Sequence, residues 1–149
     1  MNARFVEKTI LVSVMGLVVC LAMSSHQPEP EWVGYRSTMR ELAHMVRTMR
    51  NRALARQRTV QLRVDASRGA FQLTSIQDES QAYETLERTL WLPQGLEVSE
   101  APAELTALPS GQLLLPAPII VDAPSYSRLF RLTADEKTGA VQLHEEPAM

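Results

Sequence analysis

Cysteine, glycine and aromatic residues are scarce in this sequence of 149 residues. The single cysteine, Cys20, excludes any disulfide within the chain. The sequence has only 6 glycines, with neither a glycine-rich phosphate loop nor a G-x-S-x-G nucleophile motif. Its three histidines, His26, His44 and His144, have no second ligand at metal-binding spacing. The sequence therefore predicts no enzyme, no cofactor, no metal site and no small-molecule substrate.

Residues 9–23 form an uncharged apolar run that follows the basic residues Arg4 and Lys8. As a helix, this run reaches about 22 Å, short of the roughly 30 Å hydrocarbon core, so a full span needs its neighbours as well. The same pattern, with Ala22 and Ser24 at signal-peptidase spacing, is also typical of a cleaved secretory signal. In both cases the basic start stays on the cytoplasmic side and the remaining chain is exported.

Residues 1–25 are accordingly either a membrane anchor or a signal segment. An anchored chain would be a single-pass inner-membrane protein with its C-terminal domain in the periplasm, whereas a cleaved chain would be a secreted soluble binding module. Residues 17–20 also resemble a lipoprotein box, although Val19 stands where a Gly or Ala is needed. We predict that the membrane contacts come from Ile10, Leu11, Val14, Leu17, Val18 and Leu21.

Residues 32–58 have apolar side chains at alternating spacings of three and four, which place them on one face of a helix. Pro28 and Pro30 precede this segment and predict a break at residues 26–31. A coiled-coil seam produces the same stripe, but a helix laid on a sheet is the commoner arrangement and is our prediction. The predicted packing face consists of Trp32, Tyr35, Met39, Leu42, Val46, Met49 and Ala53.

Residues 59–149 have the short period and the turn residues of a β-rich body. Val60, Leu62 and Val64 alternate with polar residues, and a turn at residues 67–69 predicts a hairpin with residues 70–75. Residues 83–92 fit either a short helix or a strand. Further strands are predicted at residues 96–99, 111–115, 119–122, 128–133 and 140–144. The predicted fold class is α+β, an amphipathic helix packed on an antiparallel β-sandwich-like domain.

Charge is segregated along the chain. Residues 31–58 carry seven arginines against two glutamates, a net charge of +5, and residues 59–149 carry six basic against thirteen acidic residues, or -7. The favoured interpretation is pairing within the protein, with the basic helix lying on its own acidic domain or on that of a neighbour. A nucleic-acid partner is disfavoured, because Arg128 and Arg131 are surrounded by carboxylates. The candidate contacts for an anionic partner are Arg47, Arg50, Arg52, Arg56 and Arg58.

Three segments resemble the type IV pilin and type II secretion pseudopilin superfamily. Residues 42–65 are similar to its helix that ends in an arginine-rich turn before the first strand. Residues 90–98 (LWLPQGLEV) and residues 128–143 are similar to its Pro-Gly turn and its final hairpin. The N-terminal prepilin motif is degenerate, since no Gly precedes Phe5 and Glu7 lies only two residues beyond it.

Within that superfamily the chain most resembles the minor pseudopilins called general secretion pathway protein H and the related fimbrial minor pilins. The resemblance implies a pilin-like fold and a structural subunit of a type II secretion or type IV pilus-like assembly. Its partners would be other pilin-like subunits and the membrane. Some related fimbrial minor pilins take part in DNA uptake, which is kept as an alternative function beside the secreted binding module.

Overall fold

The computed structural model describes residues 30–76 and 84–148. The chain divides into two compact units, residues 1–33 and residues 34–149. Only the first turn of one helix is described in the first unit. The second unit contains the rest of that helix and all the described strands.

The helix, α1, runs from Pro30 to Arg56. Proline suits a first turn because its missing N–H would have no partner there, and the nearby Glu31 opposes the positive end of the helix dipole. At the other end Gln57 adopts a left-handed conformation with φ 52°. The N–H of Arg58 then donates to the carbonyl of Ala53 at 3.2 Å, which closes the helix with the bonding pattern of a Schellman motif.

The strands follow in two antiparallel sheets. Their bounds are β1 Thr59–Asp65, β2 Ala70–Ile76, β3 Glu84–Trp91, β4 Glu97–Glu100, β5 Glu104–Ala107, β6 Leu113–Leu114, β7 Ile119–Ala123, β8 Arg128–Ala134 and β9 Val141–Pro147. Sheet 1 has the order β3-β2-β1-β5-β6, and sheet 2 has the order β4-β7-β8-β9. A short 3-10 helix, Pro124–Tyr126, connects β7 to β8. The predicted α+β class, with one helix packed on antiparallel sheets, is confirmed.

The core takes side chains from the helix and from both sheets. Fully buried residues include Met39 and Val46 of α1, Phe71 of β2 and Phe130 of β8. In β1, Val60 and Leu62 are buried while Arg63 is exposed, as an alternating strand with one covered face requires. Apolar burial of this kind is the main favourable term that holds α1 on the sheets.

The structure differs from the sequence prediction at several elements. Residues 83–92, which fitted either a helix or a strand, contain strand β3, and this strand pairs with β2. Strand β5 was missed, and the strand predicted at residues 111–115 is reduced to Leu113–Leu114. His44 is exposed, since it lies about 160° around the helix from the buried Val46.

Candidate functional site

One side of α1 is held to the final hairpin. Arg36 donates two hydrogen bonds to the Glu145 carboxylate of β9, from Nε to Oε1 at 2.6 Å and from Nη2 to Oε2 at 2.7 Å. These hydrogen bonds raise the pKa of the Arg36 guanidinium. Arg47 donates from Nη2 to the carbonyl of Val141 at 3.0 Å. The parallel bonds of Arg36 fix direction as well as distance, so β9 has a defined position along the helix.

Arg50 joins turns that belong to different sheets. Its Nε donates to the carbonyl of Gly111, between β5 and β6, at 2.8 Å, and its Nη1 donates to the carbonyl of Thr138, between β8 and β9, at 2.6 Å. Gly139 lies against the arginine at φ +66°, and a Cβ at this position would collide with Arg50 Cδ. One planar guanidinium therefore connects sheet 1, the helix and sheet 2.

The opposite side of α1 is held to β3. Glu87 accepts hydrogen bonds from Arg52 and, at 2.6 Å, from Nη1 of Arg56. The next residue, Arg88, pairs with Glu41 of the helix. Both neighbours face the helix because the β2–β3 register shifts at this point and leaves Glu87 without a partner in β2. The irregularity is a β-bulge that turns two consecutive side chains to one face.

The Tyr35 side chain contacts the turn between β3 and β4. Its hydroxyl donates to the carbonyl of Gln94 at 2.9 Å, and its ring meets that of Tyr126 edge to face at 5.7 Å. Gly95 follows at φ +97°, and a Cβ there would overlap the Tyr35 hydroxyl. Glycine is needed here for both backbone conformation and space.

The outer side of α1 is basic. Arg40, His44, Arg47 and Asn51 are exposed, and Arg58 is exposed just beyond the helix end. Within residues 30–76 and 84–148, the side chains of Arg40 and Arg58 make no hydrogen bond or ion pair. Glu41, the acidic residue between positions 34 and 58, is partly exposed and pairs with Arg88. This surface therefore presents positive charge that the described chain does not neutralise.

No protein-family model and no curated protein matches the sequence. Two of the solved structures with a similar fold are of the minor pseudopilin EpsH from the Type 2 Secretion System of Vibrio cholerae. The first has a TM-score of 0.57 at 14% identity and covers 74% of this chain and 95% of EpsH. The second has a TM-score of 0.52 at 16% identity and covers 77% and 94%. The chain has the fold of a minor pseudopilin.

In this pseudopilin fold the three segments of resemblance lie at structural junctions. Residues 42–65 span the second half of α1, its closing turn and β1. Residues 90–98 contain the turn that Tyr35 fastens, and residues 128–143 contain the turn that Arg50 holds. The resemblance detected in the sequence thus agrees with the structural comparison.

The predicted site residues are placed as follows. The six membrane-contact residues lie outside the described residues. Every residue predicted for the packing face is buried, including Trp32, which belongs to the first unit. Of the five arginines predicted to contact an anionic partner, Arg52 and Arg56 pair with Glu87, and Arg47 and Arg50 bind carbonyl groups. Only the Arg58 side chain has no partner in the part of the chain that the structure describes.

The sequence did not identify the carboxylates that accept hydrogen bonds from the helix arginines. Glu87 and Glu145 lie 31 and 109 residues from Arg56 and Arg36, respectively, so no local spacing points to them. The signal that was present is the charge segregation, which indicates pairing between the helix and the body without identifying the pairs.

Groups suited to metal or acid chemistry are not assembled in the described residues. No group of three or more His, Cys, Asp or Glu residues there could hold a metal ion. The pKa of Asp135 is lowered by hydrogen bonds from the Thr138 N–H and hydroxyl, and the pKa of Asp65 is lowered mainly by the Ser67 hydroxyl. Both carboxylates organise turns. The same part of the chain contains no helix long and apolar enough to cross a membrane.

Proposed function

We propose that this chain is a non-enzymatic, minor-pseudopilin-like subunit of an envelope assembly of the type II secretion or type IV pilus kind. The observation that carries the proposal is the shared fold, which extends over 95% of the EpsH chain. The partners and the assembly are part of the proposal. Such a subunit acts through the surfaces that pack against its neighbours and through its anchoring in the membrane.

The side-chain chemistry is consistent with this role. In the described residues the charged groups of α1 mostly fix the helix between β3 and the final hairpin, as Arg36, Arg50 and Arg52 illustrate. A rigid helix and sheet unit suits an assembly subunit, because neighbouring subunits need surfaces of constant shape.

Membrane anchoring is the second component of the proposal. The apolar run at residues 9–23 would insert in the inner membrane, and its basic flank would keep the start of the chain cytoplasmic. The body would then lie in the periplasm beside other pilin-like subunits. Intact mass and N-terminal sequencing of the protein from fractionated cells test this component. An intact N terminus in the membrane fraction supports it, and a soluble chain that starts near Ser25 overturns it in favour of a secreted binding module.

Deletion of the gene in the producing organism tests the assembly role. We expect loss of exported proteins or of surface pili, and restoration by the unaltered gene. A gene with Val46→Asp, which places a charge at a fully buried helix position, should fail to restore the phenotype. A gene with Arg68→Ala at an exposed turn should restore it. Normal secretion and normal pili in the deletion strain would contradict the proposal.

A further inference from the structure

Sheet 2 has an acidic edge at β4 and β7. The acidic edge consists of Glu97 and Glu100 of β4 and Asp122 of β7. Glu97 lies directly opposite Asp122 in the strand register, and Glu97 and Glu100 are exposed. Like charges opposite each other on antiparallel strands are unfavourable. Neither β4 nor β7 contains a basic residue that would relieve the repulsion.

The rest of sheet 2 is balanced. Arg128 of β8 pairs with Glu145 at 3.5 Å, and Arg131 pairs with Glu146 at 3.1 Å. In the described residues, Glu97, Glu100 and Asp122 make no ion pair. The uncompensated negative charge of the sheet is thus confined to its β4–β7 side.

The basic face of α1 is the counterpart, and we define it by Arg40, Arg47 and Arg58. Arg40 and Arg47 are seven residues apart, two helical turns, so they lie on the same side of the helix. Arg47 binds only a carbonyl group, and the Arg40 and Arg58 side chains have no partner among the described residues, so no described carboxylate neutralises any of the three charges. Arg36 of the helix binds β9, at one end of the strand order of sheet 2. The acidic edge is at β4, the other end, and Tyr35 contacts the turn that precedes this strand.

We propose that the basic face of one copy of this chain binds the acidic edge of a second copy. A lipid surface or a nucleic acid would use the basic face alone and leave the Glu97–Asp122 repulsion unrelieved, whereas a second copy neutralises both surfaces. A single contact of this kind is heterologous and leaves each copy one surface for the next, whereas two reciprocal contacts close a two-fold dimer. This inference uses the described residues and does not depend on the proposed membrane anchoring or secretion role.

Charge reversal in the full chain tests the contact. Sedimentation velocity in a nonionic detergent should show self-association at about 50 mM salt and its loss at about 500 mM, since salt screens charges at such contacts. Arg40→Glu with Arg58→Glu should weaken association roughly tenfold or more, and Glu97→Lys with Glu100→Lys should do the same. All four substitutions in one chain reverse the net sign of both surfaces, although Arg47 and Asp122 keep theirs, and should restore part of the association lost in each double variant. The apolar N-terminal run is unchanged throughout, so it cannot account for the pattern.

The controls separate this contact from its competitors. Arg68→Glu reverses a charge outside both surfaces and should leave association unaltered, whereas Arg58→Glu alone should weaken it. Thermal unfolding of each variant shows whether it is folded, and recovery in the fourfold variant is a positive result that misfolding does not produce. Sensitivity to the helix substitutions without sensitivity to the β4 substitutions would mean that the basic face binds another anion, and this would overturn the proposal. Absence of self-association at low salt would also overturn it.

Discussion

At the scale of single residues, the contact between Tyr35 and the turn at Gly95 leaves no room for a methyl group. We expect Gly95→Ala to destabilise the protein by about 2 kcal/mol or more, because it adds both a positive-φ penalty and an overlap with the tyrosine hydroxyl. The midpoint of urea unfolding measures the change. Gly34→Ala is the matched control, since this helical glycine has open space around it. That substitution should stabilise by about 0.5 to 1 kcal/mol, and an equal loss at both sites would contradict the explanation.

The Asp135 carboxylate is a residue-scale source of pH dependence. It accepts hydrogen bonds from the N–H groups of Lys137 and Thr138 at 3.0 and 2.6 Å, which favour its charged form and lower its pKa. A carboxyl whose folded pKa lies below its unfolded value stabilises the fold above the unfolded pKa and loses that contribution as pH falls through the folded pKa. The stabilisation by Asp135 should therefore be complete near neutral pH and disappear in the acid range.

Comparison with Asp135→Asn isolates this effect. The variant should unfold at a lower temperature than the unaltered protein at neutral pH, and the difference should shrink as the pH falls below the ordinary carboxyl pKa of 3.8. Thermal unfolding followed across that range provides the measurement. A difference that stays constant from neutral to acid pH would show that the charge of Asp135 is not involved.

At the scale of elements, the bulge in β3 gives one carboxylate two cationic partners. Glu87 is 11% exposed and binds Arg52 and Arg56, so Glu87→Gln should cost about 1 to 2 kcal/mol. Glu41→Gln breaks a more exposed pair, with Arg88, and should cost less than about 1 kcal/mol. Denaturant unfolding of both variants distinguishes them. Equal costs would mean that partial burial of Glu87 adds nothing.

The elements differ in how far the sequence predicts them. The apolar stripe of α1 and the alternation in β1 are local patterns, and both elements were recognised from them. Strand β5 has only four residues, ELTA, close to Pro102 and Pro109, and its extended conformation depends on pairing with β1 some 40 residues earlier. Local propensity is weak in such a segment, so tertiary pairing decides its structure.

At the scale of the whole molecule, Arg50 connects α1 to turns of both sheets, so its substitution should affect more elements than that of a residue bonded to one strand. Arg50→Lys retains the charge but cannot donate in two fixed directions, and we expect a cost of about 1.5 to 3 kcal/mol for the released turns. Arg58→Lys, at an exposed position with no side-chain partner in the described residues, should change stability by less than about 0.5 kcal/mol. Unfolding midpoints provide the comparison, and equal effects would show that the bridge contributes nothing.

The candidate surfaces were less predictable than the fold. Five arginines were assigned to an anionic partner from their density in the sequence, but Arg52 and Arg56 turn toward Glu87 and Arg50 turns toward two carbonyl groups. Which cations remain exposed depends on the position of β3 and of the final hairpin. Those positions result from sheet pairing, which a linear pattern does not contain.

The ion pair between Arg36 and Glu145 joins the first described helix to the last strand across 109 residues. Contacts so distant in sequence give a high contact order, and chains of this kind fold slowly because long loops must close before the contacts form. A polypeptide that emerges N terminus first would display the apolar stripe of α1 until β9 arrived to complete its cover. A chain interrupted before Val141 would also leave β8 as an unpaired edge, open to association with other strands. The domain therefore cannot complete its fold until β9 has been synthesised, and it is most prone to aggregation before that point.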